Sequence, residues 1–290
     1  MGGVAGPARS GRIEGWSKVP FGARLPSIVL VAGLGLAAVV REAAPIVFLA
    51  ILFAYLYARR FGNRSLALAA VLPAAAILVW RAIPQPTADP LGADCANLLA
   101  PPALWRFMEA AVGLLALGAL LWDRKASLGE LGFRRGSRRV RAMAIAGLLL
   151  VGPIAIYVAT RFGESQLGSM FFGSYALDLS KPMALAPALL FAASNSLAEE
   201  LAYRGAMRTW LTPSLGILGA NLAQAVVFGL SHTGRDFVGI QGMIPVMLAM
   251  VVVAFVAGVI ARRTKSLTIP LAIHAAADIP IYLYWACQAG

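Results

Sequence analysis

The stretch ALAPALLFAASNSLAEELAYRG, Ala184–Gly205, decides how the chain is read. Its first half is apolar enough to lie in lipid, yet its second half carries Glu199, Glu200 and Arg204. On a soluble helix these would form an ordinary charged face. At membrane depth each costs at least ~2.5–3.5 kcal/mol on insertion. The rest of the chain settles which medium applies. Only 13% of the 290 residues are charged, against about 25% in a soluble domain. Hydrophobic residues make up 60%, and mean hydropathy is +0.77. Apolar runs approaching span length recur from end to end. The expected fold class is all-α, a polytopic transmembrane helix bundle of about eight to nine spans. No strand-like alternation supports a barrel.

The spans fall roughly at 25–40, 43–58, 65–83, 102–122, 142–160, 183–207, 215–232, 243–261 and 267–287. The first two are short, and a single bent hairpin-like element is an alternative. Residues 1–24 read as a basic tail, 25–123 as N-terminal spans of unassigned role, and 124–290 as the core. The Pro-rich segment 83–102 and the segment 161–182 read as outside loops. Net charge is +12, and its placement argues against nucleic acid. The basic residues cluster in short segments between apolar runs, most densely in DRKASLGELGFRRGSRRVR, 123–141. That bias places the N-terminus inside and the C-terminus outside, with Arg81 among the outside cations. Two cysteines, Cys95 and Cys287, exclude a disulfide framework and a cysteine-based metal site. Both fall at the outside face, where a single bridge is geometrically conceivable.

Intramembrane ionisable groups face a bundle interior and have partners. Glu200 and Arg204 are four apart and pair on one helical face. Glu199 is rotated about 100° away, so it is expected to be unpaired and available as a general base or acid. Catalysis and an ion or proton site in a transporter are both open on these residues alone. Asn221, Gln224, Phe228 and His232 share one stripe, expected to face a wet cavity together with Asn195. His274 and Asp278 are also four apart on a shared face. Arg106 and Glu109 read as a structural ion pair. No close-spaced ligand pair demands a metal, so no cofactor is required. If a divalent ion such as zinc is held, its ligands would be Glu199, His232 and His274. The spans put Glu199 nearer the inside and His232 nearer the outside.

EELAYR fits Glu-Glu-x-x-x-Arg, FGLSH fits Phe-x-x-x-His and HAAAD fits His-x-x-x-Asn/Asp. In this order, in successive apolar helices, they resemble the CPBP family, the CAAX proteases and bacteriocin-processing enzymes of ABI type. LGELGFRR is similar to the segment that often precedes the family's core. The resemblance covers about residues 128–287. It implies an intramembrane endopeptidase of glutamate type, in which Glu199 and His232 activate water. His274 and Asp278 would stabilise the oxyanion or orient substrate, and Glu200 and Arg204 would support the helix. An amide is commoner than Asp at position 278, which implies a hydrogen-bond donor role there. The implied partners are a membrane-associated protein or peptide substrate and the lipid bilayer. The Ala/Arg/Gly-rich composition points to a bacterial inner membrane. A non-catalytic immunity or scaffold protein of the same fold is the alternative, with an ion-coupled carrier behind it.

Overall fold

The computed structural model describes residues 20–63, 65–83, 101–162, 182–233 and 239–286. The described residues are helical, without strands. The helices are α1 (Phe21–Val39), α2 (Ala44–Arg60), α3 (Leu66–Ala82), α4 (Pro101–Arg124), α5 (Arg138–Phe162) and α6 (Leu185–Glu199). A π-helical segment, Glu200–Met207, continues α6 into α7 (Arg208–Leu230), followed by α8 (Gly239–Thr264) and α9 (Thr268–Ala286). The first two apolar runs are thus separate helices, joined by a 3-10 turn at Arg41–Ala43. The two expected outside loops, Cys95 and Cys287 lie mainly or wholly outside the described residues.

Local chemistry sets many of the boundaries. Ser65 caps α3 by accepting from the Leu68 N–H, and Ser137 caps α5 by accepting from the Val140 N–H. Lys125 and Lys265, both at φ 53°, stop α4 and α8. Between α4 and α5 the LGELGFRR loop folds onto the core. Leu131 is fully buried, and the Gly132 carbonyl accepts from the Leu267 N–H at 2.9 Å.

Among the described residues, five stretches are long and apolar enough to cross a membrane: Arg41–Arg60, Ala103–Arg124, Arg138–Tyr157, Leu185–Leu230 and Ile244–Thr264. Arg24–Val39, Leu66–Ala82 and Thr268–Leu283 are shorter apolar helices. Large side chains such as Leu115, Leu149 and Val252 point outward, as a lipid-facing surface requires. The interior uses small residues. Positions 69–78 of α3 are buried throughout, five of them alanine, so backbones approach closely. Helix α3 packs against α1, α2, α4, α7 and the π-helical segment. Helix α9 packs against α5 and α6, and α8 against α7.

The 46-residue run Leu185–Leu230 is too long to be one straight span. It turns at Gly216, whose φ of 72° and ψ of 170° are not helical. Tyr203 lies thirteen residues before Gly216 and Phe228 twelve after it. Their rings nevertheless meet edge to face at 5.3 Å between centroids. At 1.5 Å of rise per residue the two arms are each about 18–20 Å long. Contact between their far ends requires an antiparallel hairpin. That geometry corrects the expected depths: Glu199 is seventeen residues before the turn and His232 sixteen after it, so both sit at about the same level. Only glycine occupies this φ/ψ region without strain. Gly216→Ala should therefore destabilise the protein by about 1–3 kcal/mol, read as a lower unfolding midpoint in detergent; an unchanged midpoint would show a different backbone at the turn.

Candidate active site

The site begins where α6 widens. Along Glu200–Met207 the backbone is π-helical and every residue is buried. Such segments use i→i+5 hydrogen bonds and are frequent at functional sites. Glu199 and Glu200 straddle the transition from α to π geometry, and both reach one imidazole. His274 of α9 places Nδ1 2.9 Å from Glu200 Oε1 and Nε2 3.5 Å from Glu199 Oε2. Asp278 Oδ2 is 3.6 Å from the same Nε2 and accepts from Asn195 Nδ2 at 2.9 Å. Two adjacent residues on an ideal α-helix diverge by about 100°, yet here they converge on one ring.

Glu199 is not unpaired, and this corrects the expectation from spacing. Arg81, in the last turn of α3, donates through Nη2 to Glu199 Oε1. The same guanidinium donates to Glu109 Oε1 at 2.8 and 3.0 Å. Arg106 donates to both Glu109 oxygens at 2.7 and 2.8 Å. The Arg106–Glu109 pair is therefore part of a buried network that reaches Glu199. Arg81, read from sequence as an outside cation, has only 13% of its side chain exposed. Arg81, Arg106 and Glu109 are the charged groups of the apolar parts of α3 and α4. That imbalance of one positive charge was the signal that a carboxylate elsewhere had to complete the set.

Glu199 Oε2, by contrast, is buried and has no hydrogen-bond partner among the described residues. Glu200 and Arg204 pair as expected, though loosely, at 3.4 Å. The Arg204 guanidinium also lies 3.9 Å from the centroid of the Phe228 ring, a cation–π contact. The Phe228 ring has His232 at 4.4 Å and His274 at 6.1 Å between centroids. Phe228 thus joins both histidines, Tyr203 and Arg204 in one cluster. His232 Nδ1 is 2.7 Å from the Phe228 carbonyl oxygen. A carbonyl only accepts, so Nδ1 carries the proton there, and a neutral His232 presents a lone pair at Nε2.

The polar stripe of α7 divides. Phe228 and His232 join the glutamates, whereas Asn221 and Gln224 turn to α8. Asn221 Nδ2 donates to the Phe255 carbonyl at 3.0 Å. Gln224 Nε2 donates to the Ala254 carbonyl at 3.0 Å. A Cβ at Gly258 would overlap the Asn221 side chain, so this is a close helix crossing. The expectation that Asn221 and Gln224 line a cavity with the glutamates is replaced by an α7–α8 clamp. Asn195 remains at the site through Asp278.

Among the described residues no group of three or more His, Cys, Asp and Glu side chains is arranged to hold a metal ion. Of Glu199, His232 and His274, the first two keep Oε2 and Nε2 open, whereas His274 is flanked at both nitrogens. Arg81 covers Glu199 Oε1, His232 Nδ1 faces a carbonyl, and both His274 nitrogens face carboxylates. His274, with a carboxylate beside each nitrogen, offers no lone pair to complete a three-ligand set with Glu199 and His232.

Residues 181–280 match the family model described as Type II CAAX prenyl endopeptidase Rce1-like. No curated protein and no solved structure matches the chain. The matched segment contains Glu199, Glu200, Arg204, His232, His274 and Asp278, but neither α3 nor α4, which supply Arg81, Arg106 and Glu109. Together with its apolar helices, the match marks the chain as an integral membrane protein. Over the segment that carries its buried glutamates and histidines, the protein is similar to the Rce1-like CAAX endopeptidases of the CPBP family.

Proposed function

We propose that this protein is an intramembrane endopeptidase that hydrolyses a peptide bond in a membrane-associated protein or peptide. The observation that carries the reading is Glu199 Oε2, a buried carboxylate oxygen with an open hydrogen-bond position beside an imidazole. A general base must hold a water in that way. Water bound there gives a proton to Glu199, with the His232 Nε2 lone pair as the second acceptor. The hydroxide attacks the carbonyl carbon, and the proton then passes to the leaving amine as the C–N bond breaks. Arg81 fixes the carboxylate through its other oxygen. His274 is an imidazolium whose Nδ1–H is held by Glu200 and whose Nε2–H, 3.5 and 3.6 Å from the Glu199 and Asp278 oxygens, donates to the developing oxyanion. The charges support this state: Glu200, Arg204, His274 and Asp278 sum to zero only if His274 is positive.

The basic segments 123–141 and 262–265 support a cytoplasmic position for the end of the bundle that carries the Gly216 turn, with the N-terminus inside. The substrate class named in the family description is a CAAX protein, and a prenylated C-terminus is one member of the substrate set. A bacterial chain would act on an unprenylated tail instead. Trapping substrates on a Glu199→Gln variant and mapping the cut sites tests both the activity and the substrate. Recovery of no cleavable partner, with the wild type inert toward every trapped protein, would favour the scaffold reading.

Two further outcomes are expected. Cleavage by the purified protein should survive prolonged EDTA or phenanthroline treatment with less than about a twofold loss, since a general base and an imidazolium supply what a Lewis acid would. Stoichiometric zinc whose removal abolishes activity, and whose return restores it, would overturn this. Asp278 Oδ2 is an acceptor from Asn195 and faces His274 Nε2, so the donor role implied by the resemblance gives way to a carboxylate that holds the imidazolium. Asp278→Asn should then lower cleavage by about 10–100-fold, as loss of a carboxylate behind a histidine commonly does. The loss should persist at every pH. Preserved activity extending to higher pH would restore the donor role.

A further inference from the structure

A second site lies at the other end of the α6–α7 hairpin. A cavity of about 650 Å³ opens beside the Gly216 turn, between α7, α8 and the α4–α5 loop. Its rim carries Arg134, Arg208, Arg262 and Lys265. Its wall is apolar, with Ile217, Phe255 and Val259. Arg208 and Arg262 are near enough for their like charges to interact. Among the described residues none of the four cations has a carboxylate within ion-pair distance. Arg208 Nε donates to the Arg204 carbonyl at 2.9 Å, and Arg134 Nε to the Gly129 carbonyl at 2.5 Å. Glu130 also lines the cavity, but its carboxylate accepts from the Ser127 N–H and hydroxyl. Four clustered cations around an apolar slot make a region of positive potential that attracts an anion.

We propose that this cavity binds an anionic phospholipid, its phosphate among Arg208, Arg262 and Lys265 and an acyl chain along the apolar wall. The position supports a lipid over a soluble anion. Arg262 and Lys265 lie at the end of the spanning helix α8, where headgroups lie, Arg134 lies in the adjoining α4–α5 loop, and Leu218 on the rim is 47% exposed. Basic pockets between membrane helices bind acidic headgroups in this way. Asn221 and Gly258 also line the cavity, so the lipid would rest on the α7–α8 clamp and stiffen the hairpin that brings His232 to Glu199. The proposal does not rest on the protease reading.

Native mass spectrometry of the full-length protein in mixed micelles tests it, with phosphatidylglycerol and phosphatidylcholine as probes. The wild type should retain phosphatidylglycerol at least tenfold better. Each cation removed should weaken retention by about fivefold, the equivalent of about 1 kcal/mol per Lys or Arg near an acidic headgroup. Arg262→Gln removes an exposed cation. Lys265→Gly removes another and relieves the left-handed backbone at φ 53°, so its unfolding midpoint should not fall. Equal retention of the two lipids, or unchanged phosphatidylglycerol retention in the Arg262→Gln/Lys265→Gly double variant, would overturn the proposal. Displacement of the lipid by millimolar inorganic phosphate would assign the site to a free anion and overturn it too.

Discussion

Glu199→Gln is expected to reduce cleavage by about a hundred- to ten-thousand-fold, the usual contribution of a positioned general base, while leaving the protein folded. Glutamine keeps the size of the side chain and an oxygen to accept from Arg81. Arg81 also retains its two hydrogen bonds to Glu109, so no guanidinium is stranded. What disappears is the carboxylate proposed to take the proton from water. The measurement is a single-turnover cleavage rate on a trapped substrate, beside an unfolding midpoint for the same preparation. A midpoint near wild type with cleavage lost places Glu199 in the chemistry. Cleavage at more than a tenth of the wild-type rate in folded protein would remove the general-base role.

Glu109→Ala is expected to have the largest effect on stability, about 3–5 kcal/mol, because it strips a buried ion network of its shared carboxylate. Glu109 is 2% exposed and holds both Arg81 and Arg106. Without it the two arginines are left with Glu199 alone, and Glu199 is drawn between two cations. Abundance should fall steeply, and cleavage per folded molecule should fall as well. Glu109→Ala/Arg106→Leu, which removes one stranded cation, should recover part of the lost stability. A Glu109→Ala protein as stable as wild type would show that Arg81 and Arg106 reach solvent or lipid headgroups instead.

These two variants separate what lies inside the family-like segment from what lies outside it. Glu199 is within residues 181–280, and Glu109 is not. The network running from Arg106 through Glu109 and Arg81 to Glu199 gives the N-terminal helices a role in the site: they hold the glutamate's other oxygen. On this basis α3 and α4 belong to the candidate site, because they supply the cations and the carboxylate that hold Glu199.

The sequence alone determined the helical, membrane-embedded class, because apolar run length and charge placement are local properties. The nine apolar runs appear as helical stretches, although the sixth and seventh are joined through the π-helical segment and the Gly216 turn. It also determined the pairs that depend only on helical spacing: Glu200 with Arg204, His274 with Asp278, and Arg106 with Glu109. Tertiary structure decided everything that depends on which helix faces which. Hairpin closure at Gly216 brought His232 level with Glu199, because two arms of nearly equal length end at the same depth. Where α geometry gives way to π geometry, packing of α9 against the helix puts His274 within reach of both Glu199 and Glu200, which the 100° step alone did not anticipate. Packing of α8 against α7 removed Asn221 and Gln224 from the site by giving their amides backbone carbonyls. And Arg81, which ends an apolar run as an interfacial cation would, became the partner of Glu199. A buried carboxylate without a cation is unstable in a medium of low dielectric, and the fold supplies that cation from a helix more than a hundred residues away in sequence.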